Sequence, residues 1–491
     1  MIITMNKTRT RFAPSPTGYM HIGNLRTALF EFLIAKHEGG DFLLRIEDTD
    51  QERKVEGAVD VIYKTLKECG LNWDEGPDIG GDFGPYVQSE RLPMYKGYAE
   101  DLIKLGGAHY CFCSEEEIEA QRKEAESLGI SFKFNDPCKH LSAEEVQAKL
   151  DAGEPYVIRQ TIKDVGETYF DDEVYGRIEV DGDVLDEQIL IKSDGYPTYN
   201  FANIIDDHQM QISHVVRGNE YLSSTPKYNL IYDAYGWDRP TYVHVPPVMK
   251  DEHHKLSKRN GDASFQDLVA KGYLPDAIMN YIALLGWAPE TEKEIYTLDE
   301  LIKVFNIHRI SKSPAIFDID KLTWMNGVYL RNMDEETYYE TVRPYLEKAV
   351  HGPYNLKEIA KIIQPRIDIL NQIEESVDFF DTLVDYDLEM YRHKKMKTTP
   401  EVALKALKAS KQTLEAFDQW DSMDALHECL LALPKELEMK NGQVLWPIRT
   451  AVSGKQFTPG GAIEIAFILG KDETLRRIQV GIDRLSEIVE E

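Results

Sequence analysis

Long apolar runs are missing from this 491-residue chain. No stretch approaches the ~18 consecutive apolar residues of a membrane-spanning helix. The opening residues, MIITMNKTRTRFAPSP, have no apolar core and no small-residue cleavage site, so no secretory leader is expected. Cysteine is scarce: there are five, an odd number. That excludes a disulfide framework and favours a reducing, cytoplasmic setting. Cations are outnumbered, with 56 Lys and Arg against 85 Asp and Glu and a formal charge of −29. This balance argues mildly against a nucleic-acid partner, because basic footprints are the usual sign, yet binding needs only a local basic patch. Internal repeats and low-complexity tracts are absent too. What remains is an ordinary soluble composition, 42% hydrophobic and 29% charged. At roughly 100–200 residues per domain it has room for two to five.

TRTRFA (8–13) reads as a short strand and APSPTG (13–18) as a turn. Ile22, Leu25, Ala28, Leu29, Phe32 and Leu33 then share one helical face, closed by two glycines at 39–40. DFLLRI (41–46) is a buried-type strand, and Val55, Val59, Ile62, Tyr63 and Leu66 mark a second helix ended by Gly70. Strand–helix–strand–helix is the pattern of a parallel α/β sheet. The rhythm returns with EQILIK (187–192), ISHVVRG (212–218), a helix carrying Tyr228, Ile231 and Tyr232, and TYVHV (241–245). The predicted fold is α/β: a Rossmann-like parallel sheet split by an insertion and followed by all-helical domains. The expected segments are 1–94 and 187–249 for the halves of the sheet, 95–186 for the insertion, then 250–335 and 336–491.

HIGN (21–24) lies where the first strand hands over to the first helix, a place where backbone N–H groups and the helix dipole favour an anion. Gly23 lets backbone approach a ligand, and His21 can donate to phosphate oxygens. The string lacks P-loop or dinucleotide spacing, and by itself an ordinary helix start would explain it. HHKLSKRNGD (253–262) gathers Lys255, Lys258 and Arg259 around Ser257 in an otherwise acidic chain; by itself, a solvated basic loop would explain that. Arg11 and Arg217 end strands, at the edge where open α/β sheets bind ligands, and arginine grips a carboxylate in two-pronged fashion. Surface ion pairing is the bland reading of both. CFC (111–113) and CKH (138–140) form two close pairs of thiol and imidazole groups, suited to a closed tetrahedral zinc site, or else to buried thiols. Cys69 and Cys429 have no such company and read as small core residues. EDTD (47–50) lacks the twelve-residue spacing of a calcium loop.

A His-x-Gly turn paired with a later Lys-x-Ser-Lys loop resembles the class I aminoacyl-tRNA synthetases, where the two motifs bind ATP. Asn24 stands where that family commonly has a second histidine. RFAPSPTG (11–18), LRIEDTD (44–50), DEGP (74–77), YVQSERL (86–92), DGYPTYNFANIIDD (194–207) and KLSKRNGD are similar, in order, to bacterial-type glutamyl-tRNA synthetases, and the resemblance covers essentially the whole chain.

The resemblance implies a glutamate–tRNA ligase that uses ATP with Mg2+ to make glutamyl-adenylate, then charges the 3′-terminal adenosine of tRNA. It implies that His21, Lys255 and Lys258 are catalytic, and that His21, Gly23, Glu220 and Lys258 bind ATP. It gives glutamate to Arg11, Ser15, Glu47, Tyr199 and Arg217. Tyr221 stands where the family commonly has Trp. One structural zinc per chain is implied on Cys111, Cys113, Cys138 and His140, since some relatives carry it. The segment 250–335 would meet the tRNA stem and 336–491 the anticodon, with RHKKMK (392–397), Arg476 and Arg477 as candidate contacts. A monomer acting on tRNA(Glu) is expected, with tRNA(Gln) left open. Glutaminyl-tRNA synthetases share the catalytic fold but have a β-barrel C-terminal half. A shorter enzyme that glutamylates a modified tRNA base lacks an anticodon-binding half. A silent, zinc-stabilised RNA-binding relative would have no need of both His21 and Lys258.

Overall fold

The alternating TRTRF segment forms β1 (Arg9–Phe12), and the apolar face behind the APSPTG turn forms α1 (Ile22–His37). The structure is a computed structural model describing residues 7–50, 55–130, 132–163, 166–256 and 264–489. The chain divides into two units, Met1–Val269 with Pro275–Asp318, and Ala270–Leu274 with Ile319–Glu491. The first continues with β2 (Asp41–Leu44), α2 (Ala58–Glu68), α3 (Leu92–Lys104), β3 (Ala108–Cys111), α4 (Glu115–Ser127) and α5 (Ala143–Asp151). Then come β4 (Val157–Gln160), β5 (Glu167–Asp172), β6 (Gly176–Asp181), β7 (Ile189–Ile191), α6 (Tyr199–Gln209), β8 (His214–Gly218), α7 (Thr225–Tyr235) and β9 (Thr241–Val245). Three helices follow, α8 (Phe265–Ala270), α9 (Pro275–Ala283) and α10 (Leu298–Val304).

The parallel strands come from both sides of the insertion, as the repeated rhythm requires. β1 runs parallel to β2, from Arg9 opposite Asp41 to Phe12 opposite Leu44. The Ser213 amide donates to the Arg9 carbonyl at 3.0 Å, seating β8 beside β1, and β8 is parallel to β9 over its whole length. β5 joins β9 in parallel at Asp172 and Tyr242, and turns back through β6 as an antiparallel hairpin. One expected strand goes elsewhere. Ile189–Ile191 of EQILIK pairs antiparallel with β4, completing a β3–β4–β7 sheet. Leu190 and Ile191 are buried with Ile158, Tyr95 and Phe201, and a strand covered on both faces has the continuous apolar look of a parallel one. The acidic helices α4 and α5 stay mostly exposed and are started by capping boxes, Ser114 with Glu117 and Ser142 with Glu145.

The second unit is built from α11 (Ile319–Asn332), α12 (Glu335–Ala349), α13 (Leu356–Ile363), α14 (Ile373–Val377), α15 (Pro400–Ala416), α16 (Met423–Glu436), α17 (Asn441–Ser453) and α18 (Ala462–Val489). Among its described residues there is no strand. Helix α18 is interrupted at Gly470, whose φ of +77° is left-handed. Arg477, proposed from sequence to face tRNA, is instead completely buried. Its guanidinium donates to the carbonyls of Phe379, Phe380 and Val452 and pairs with Glu473. It bolts α18 to the ends of its neighbours, which a basic pair in a helical string does not reveal. Among the described residues no helix is long and apolar enough to cross a membrane.

The double glycine after α1 has a physical reason. Gly39 adopts φ +66°, which an L side chain resists. A Cβ on Gly40 would lie 2.0 Å from the Thr8 carbonyl oxygen, at the start of β1. Backbone cannot yield as a side-chain tip can. Gly40→Ala should therefore destabilise the protein by about 2–3 kcal/mol, the upper range for overpacking. Urea denaturation checks this; an unchanged midpoint would show that β2 can leave β1 without loss.

Candidate active site

Two adjacent carboxylates at the end of α6, Asp206 and Asp207, collect arginines from distant parts of the chain. Arg11, in β1, reaches Asp207 with Nε at 2.8 Å and Nη2 at 3.2 Å, and touches Glu31 of α1 with Nη1 at 3.1 Å. Arg45, just after β2 and completely buried, donates to Asp207 at 2.8 Å and to Glu47 at 2.9 Å. Arg91 donates to Asp206 at 2.7 Å, and Tyr95 and Gln88 bond the same carboxylate. Burial alone would raise the Asp207 carboxyl, but Arg11 and Arg45 override it and hold the group below its ordinary value. Glu31 and Glu47 go the other way: burial pushes both up, and their arginines only partly offset it. Three guanidiniums thus meet four carboxylates, Glu31, Glu47, Asp206 and Asp207, leaving a formal excess of one negative charge.

Arg217, at the carboxyl end of β8, is in the opposite situation. It is buried and has no carboxylate in salt-bridge range among the described residues. Its Nε donates to His244 Nε2 at 3.1 Å and its Nη2 to Thr225 at 2.8 Å. The rings of Tyr221, Tyr228 and Tyr242 surround it, 4.8–5.4 Å from the guanidinium carbon. Tyr199, at the start of α6, packs its ring 5.4 Å from that of Tyr221. Burial first and Glu47 second raise the Tyr199 phenol well above its ordinary value, while Arg217 and Arg11 pull it back. Arg11, Glu47, Tyr199 and Arg217 therefore converge on one region, with the negative excess on one side and the lone cation on the other. Ser15 is exposed in the turn after β1. Sequence reasoning missed Arg45, Glu31, Asp206, Asp207 and His244, although three of them lay inside the quoted strings LRIEDTD and NIIDD.

His21 caps α1. Its Nδ1 accepts from the Gly23 amide at 3.0 Å, so Nε2 carries the proton and donates to the Leu256 carbonyl at 3.1 Å. A Cβ on Gly23 would come within 3.2 Å of that imidazole nitrogen, so the glycine makes room for the folded-back ring. Beyond the basic loop, Ser264 bridges back to His21, and the Phe265 amide donates to Met20 at 3.0 Å. The HIGN turn thus holds both ends of the segment that contains KLSKR. Lys255 is exposed at its start; Ser257, Lys258 and Arg259 lie outside the described residues. Glu220 is exposed, just after β8, and its carboxylate folds over Gly218, where a Cβ would meet it at 2.2 Å.

In the insertion, ligand atoms of Cys111, Cys113, Asp136 and Cys138 all lie within 4.8 Å of one another. The Cys113 and Cys138 sulfurs are 3.6 Å apart, close to the ~3.8 Å edge of a tetrahedron with ~2.3 Å zinc–sulfur bonds. Burial first and Asp136 second push the Cys111 thiol up to about 11. His140 is not in this group. The 3-10 turn Pro137–His140 points Cys138 inward and leaves His140 exposed, while Asp136 caps the turn through the Cys138 amide at 2.8 Å.

Residues 7–324 match the family profile described as tRNA synthetases class I (E and Q), catalytic domain, and residues 337–482 match an anticodon binding domain. The chain is 60% identical over 483 residues to a glutamate–tRNA ligase of Clostridium botulinum, covering 98% of this chain and 99% of that one. It is 58% identical to one of Clostridium tetani, covering 98% of each. It is also similar to the crystal structure of a glutamate tRNA ligase from Elizabethkingia meningosepticum in complex with its amino acid. That likeness has a TM-score of 0.89 at 35% identity and covers 98% of this chain and 100% of the other.

Removing one partner from a buried ion pair typically costs about 3–5 kcal/mol. Asp207→Ala strips Arg11 and Arg45 together and should cost at least that much. The sign with pH follows from the lowered carboxyl of Asp207. Its contribution is complete above the unfolded value of about 3.9 and is lost as pH falls through the lower folded one. The gap between wild type and variant should therefore be full at pH 7 and narrow below about pH 4. Unfolding free energies at the two pH values are the check, and a pH-independent gap under 1 kcal/mol would show that the arginines do not depend on Asp207.

Proposed function

The chain belongs to the class I tRNA synthetases of the E and Q type, and from that premise we propose that it is a glutamate–tRNA ligase. One observation in the site carries the reading: a lattice with one surplus negative charge faces, across Tyr199, a buried arginine lacking a carboxylate. A free amino acid offers an ammonium to the first and a carboxylate to the second. Glu47 takes the ammonium, and Arg217 and Tyr199 take a carboxylate. Arg11, already bonded through three nitrogens, shapes the wall of the glutamate site together with Ser15, and Glu220 borders the nucleotide side.

In this reading the substrate's α-carboxylate oxygen attacks the α-phosphorus of ATP and pyrophosphate leaves. A hydroxyl of the terminal adenosine of tRNA then attacks the acyl carbon and AMP leaves. His21 and the amides at the start of α1 face the phosphates, and Lys255 and Lys258 offset the negative charge that develops there; Mg2+, entering with ATP, would add further positive charge. Helical character throughout the second unit, with no strand among its described residues, speaks against a glutaminyl-tRNA synthetase. Support for tRNA contact comes from that unit's surface. Lys394, Lys395 and Lys397 are exposed, Phe457 is 85% exposed, and Arg449 lies 4.1 Å over Trp446. A cytoplasmic monomer acting on tRNA(Glu), and on tRNA(Gln) if its anticodon contacts permit, completes the proposal. So does a division into catalytic halves 1–94 and 187–249, an insertion 95–186, a stem-contact segment 250–335 and an anticodon-binding region 336–491.

The activity test is glutamate-dependent ATP–pyrophosphate exchange with tRNA(Glu) present. Lys258→Ala should lower that rate well over tenfold without loss of fold, because one charge-stabilising group commonly contributes ~2.7–4 kcal/mol to a transition state. Unchanged turnover would mark the lysine as solvated surface.

The thiol cluster fits a structural zinc, which when bound would cross-link the Cys111–Cys113 turn to the Cys138 turn. Cys111, Cys113 and Cys138 supply three donors. Asp136 stands in the fourth place, and His140, two residues past Cys138, is the other donor in reach of the sequence. Elemental analysis should find one zinc per chain, lost in Cys113→Ser with a lower melting temperature. Comparing Asp136→Asn with His140→Ala then identifies the fourth ligand. Active protein free of zinc would remove the site.

A further inference from the structure

The recognition arginine does not stand alone. A guanidinium is a donor at every nitrogen, so His244 Nε2, 3.1 Å from Arg217 Nε, must accept. The imidazole proton is therefore on Nδ1, which donates to Asp172 Oδ2 at 2.6 Å. The His244 amide donates to the same oxygen at 3.0 Å, and Asp172 Oδ1 receives the amides of Val174 and Tyr175 at 2.9 and 2.8 Å. Both carboxylate oxygens thus accept only, and His244 is completely buried. Thr225 closes the other side: it accepts from Arg217 Nη2 and donates its own proton to the Tyr221 carbonyl at 2.8 Å. Arg217 is held on its inner edge by two acceptors and makes no protein hydrogen bond through Nη1 among the described residues.

Asp172 is the last residue of β5, which belongs to the β5–β6 hairpin of the inserted segment and meets β9 opposite Tyr242. We infer that Asp172, acting through the tautomer it imposes on His244, is a positioning residue for Arg217 and sets the affinity for the amino-acid substrate. This rests on the reading of Arg217 as the carboxylate-binding group. An amide at 172 cannot serve four donors. Turned toward His244 it would push the ring proton to Nε2, where it meets Arg217 Nε–H head on; the same inversion of tautomer disables catalytic histidines whose aspartate becomes asparagine. Turned the other way it confronts the Val174 and Tyr175 amides. Burial lowers the His244 pKa, so that the ring is neutral at pH 7 and free to accept.

The experiment measures KM for glutamate and for ATP by tRNA-dependent pyrophosphate exchange in Asp172→Asn, His244→Asn and Arg217→Lys. His244→Asn keeps a donor toward Asp172 and removes the acceptor for Arg217; it carries the test should Asp172→Asn fail to fold. Each folded positioning variant should raise KM for glutamate at least tenfold while KM for ATP stays within twofold and kcat falls less than KM rises. Arg217→Lys should raise KM for glutamate by more than either. If it does so while both positioning variants leave KM for glutamate within twofold, the relay is overturned and the reading of Arg217 stands. An unaltered KM for glutamate in Arg217→Lys defeats that reading, and the relay with it. Equal losses toward glutamate and ATP with a lowered melting temperature would reduce Asp172 and His244 to structural support.

Discussion

The first unit turns on the acidic pair Asp206–Asp207. Strand β1, the segment after β2, the turn before α3 and helix α6 are each tied to it by an arginine, a tyrosine or the pair itself. Such an arrangement is a poor source of stability, since desolvating buried charges offsets most of the attraction between them. Its value is geometric. Planar guanidiniums bonded at two or three nitrogens allow little freedom of approach, so the carboxyl ends of β1 and β2 are fixed relative to α6 more tightly than apolar packing alone would fix them. Those ends carry Arg11 and Glu47, and α6 begins with Tyr199.

The same constraint makes the site electrically asymmetric. Charge in the lattice does not cancel: burial raises the carboxyls of Glu31 and Glu47, and the arginines only partly offset it. Arg217 is unbalanced in the other sense, with aromatic faces and neutral acceptors around it where a carboxylate would be expected. A ligand with one cationic and one anionic group removes both imbalances, while a ligand with only one of them leaves the other uncompensated in a buried place. Discrimination then follows from the cost of unpaired buried charge rather than from shape.

Legibility in the sequence followed the range of the interactions. Parallel strands around α1 and α7 announce themselves through local periodicity and glycine punctuation; Arg11, Glu47 and Tyr199 lie in long strings with a family likeness, and Arg217 is marked by its place at the end of the strand ISHVVRG. Asp207, which holds both Arg11 and Arg45, lies 196 and 162 residues from them in sequence, and no local pattern encodes a contact of that span. By its sequence β7 reads as a member of the parallel sheet, because burial on both faces erases the alternation that marks an antiparallel strand; in the structure it pairs with β4. In CKH the spacing named two donors, but a 3-10 turn sends residues two apart to different sides, so Cys138 went inward and His140 did not. Arg477 beside Arg476 looked like surface charge, and only the carbonyls that converge on it reveal a buried bolt.

The acidity of the chain bears on tRNA in a way composition could not settle. Among the described residues eight arginines are buried, and so are seven aspartates and glutamates. Burial therefore hides a net charge of only +1, so the acidity of the −29 chain stays outside its core. A polyanion approaching that surface is repelled on average. At physiological ionic strength, however, charges are screened beyond about 8 Å. Within that distance a cluster such as Arg392, Lys394, Lys395 and Lys397, all exposed, outweighs an acidic body further off. Phosphate contacts made there release counterions, while bases that lie on exposed aromatic or guanidinium faces gain stacking that salt affects little. A synthetase with so acidic a surface gives up fast, long-range capture of a polyanion, and what attraction it offers one is confined to short-range cationic clusters of this kind.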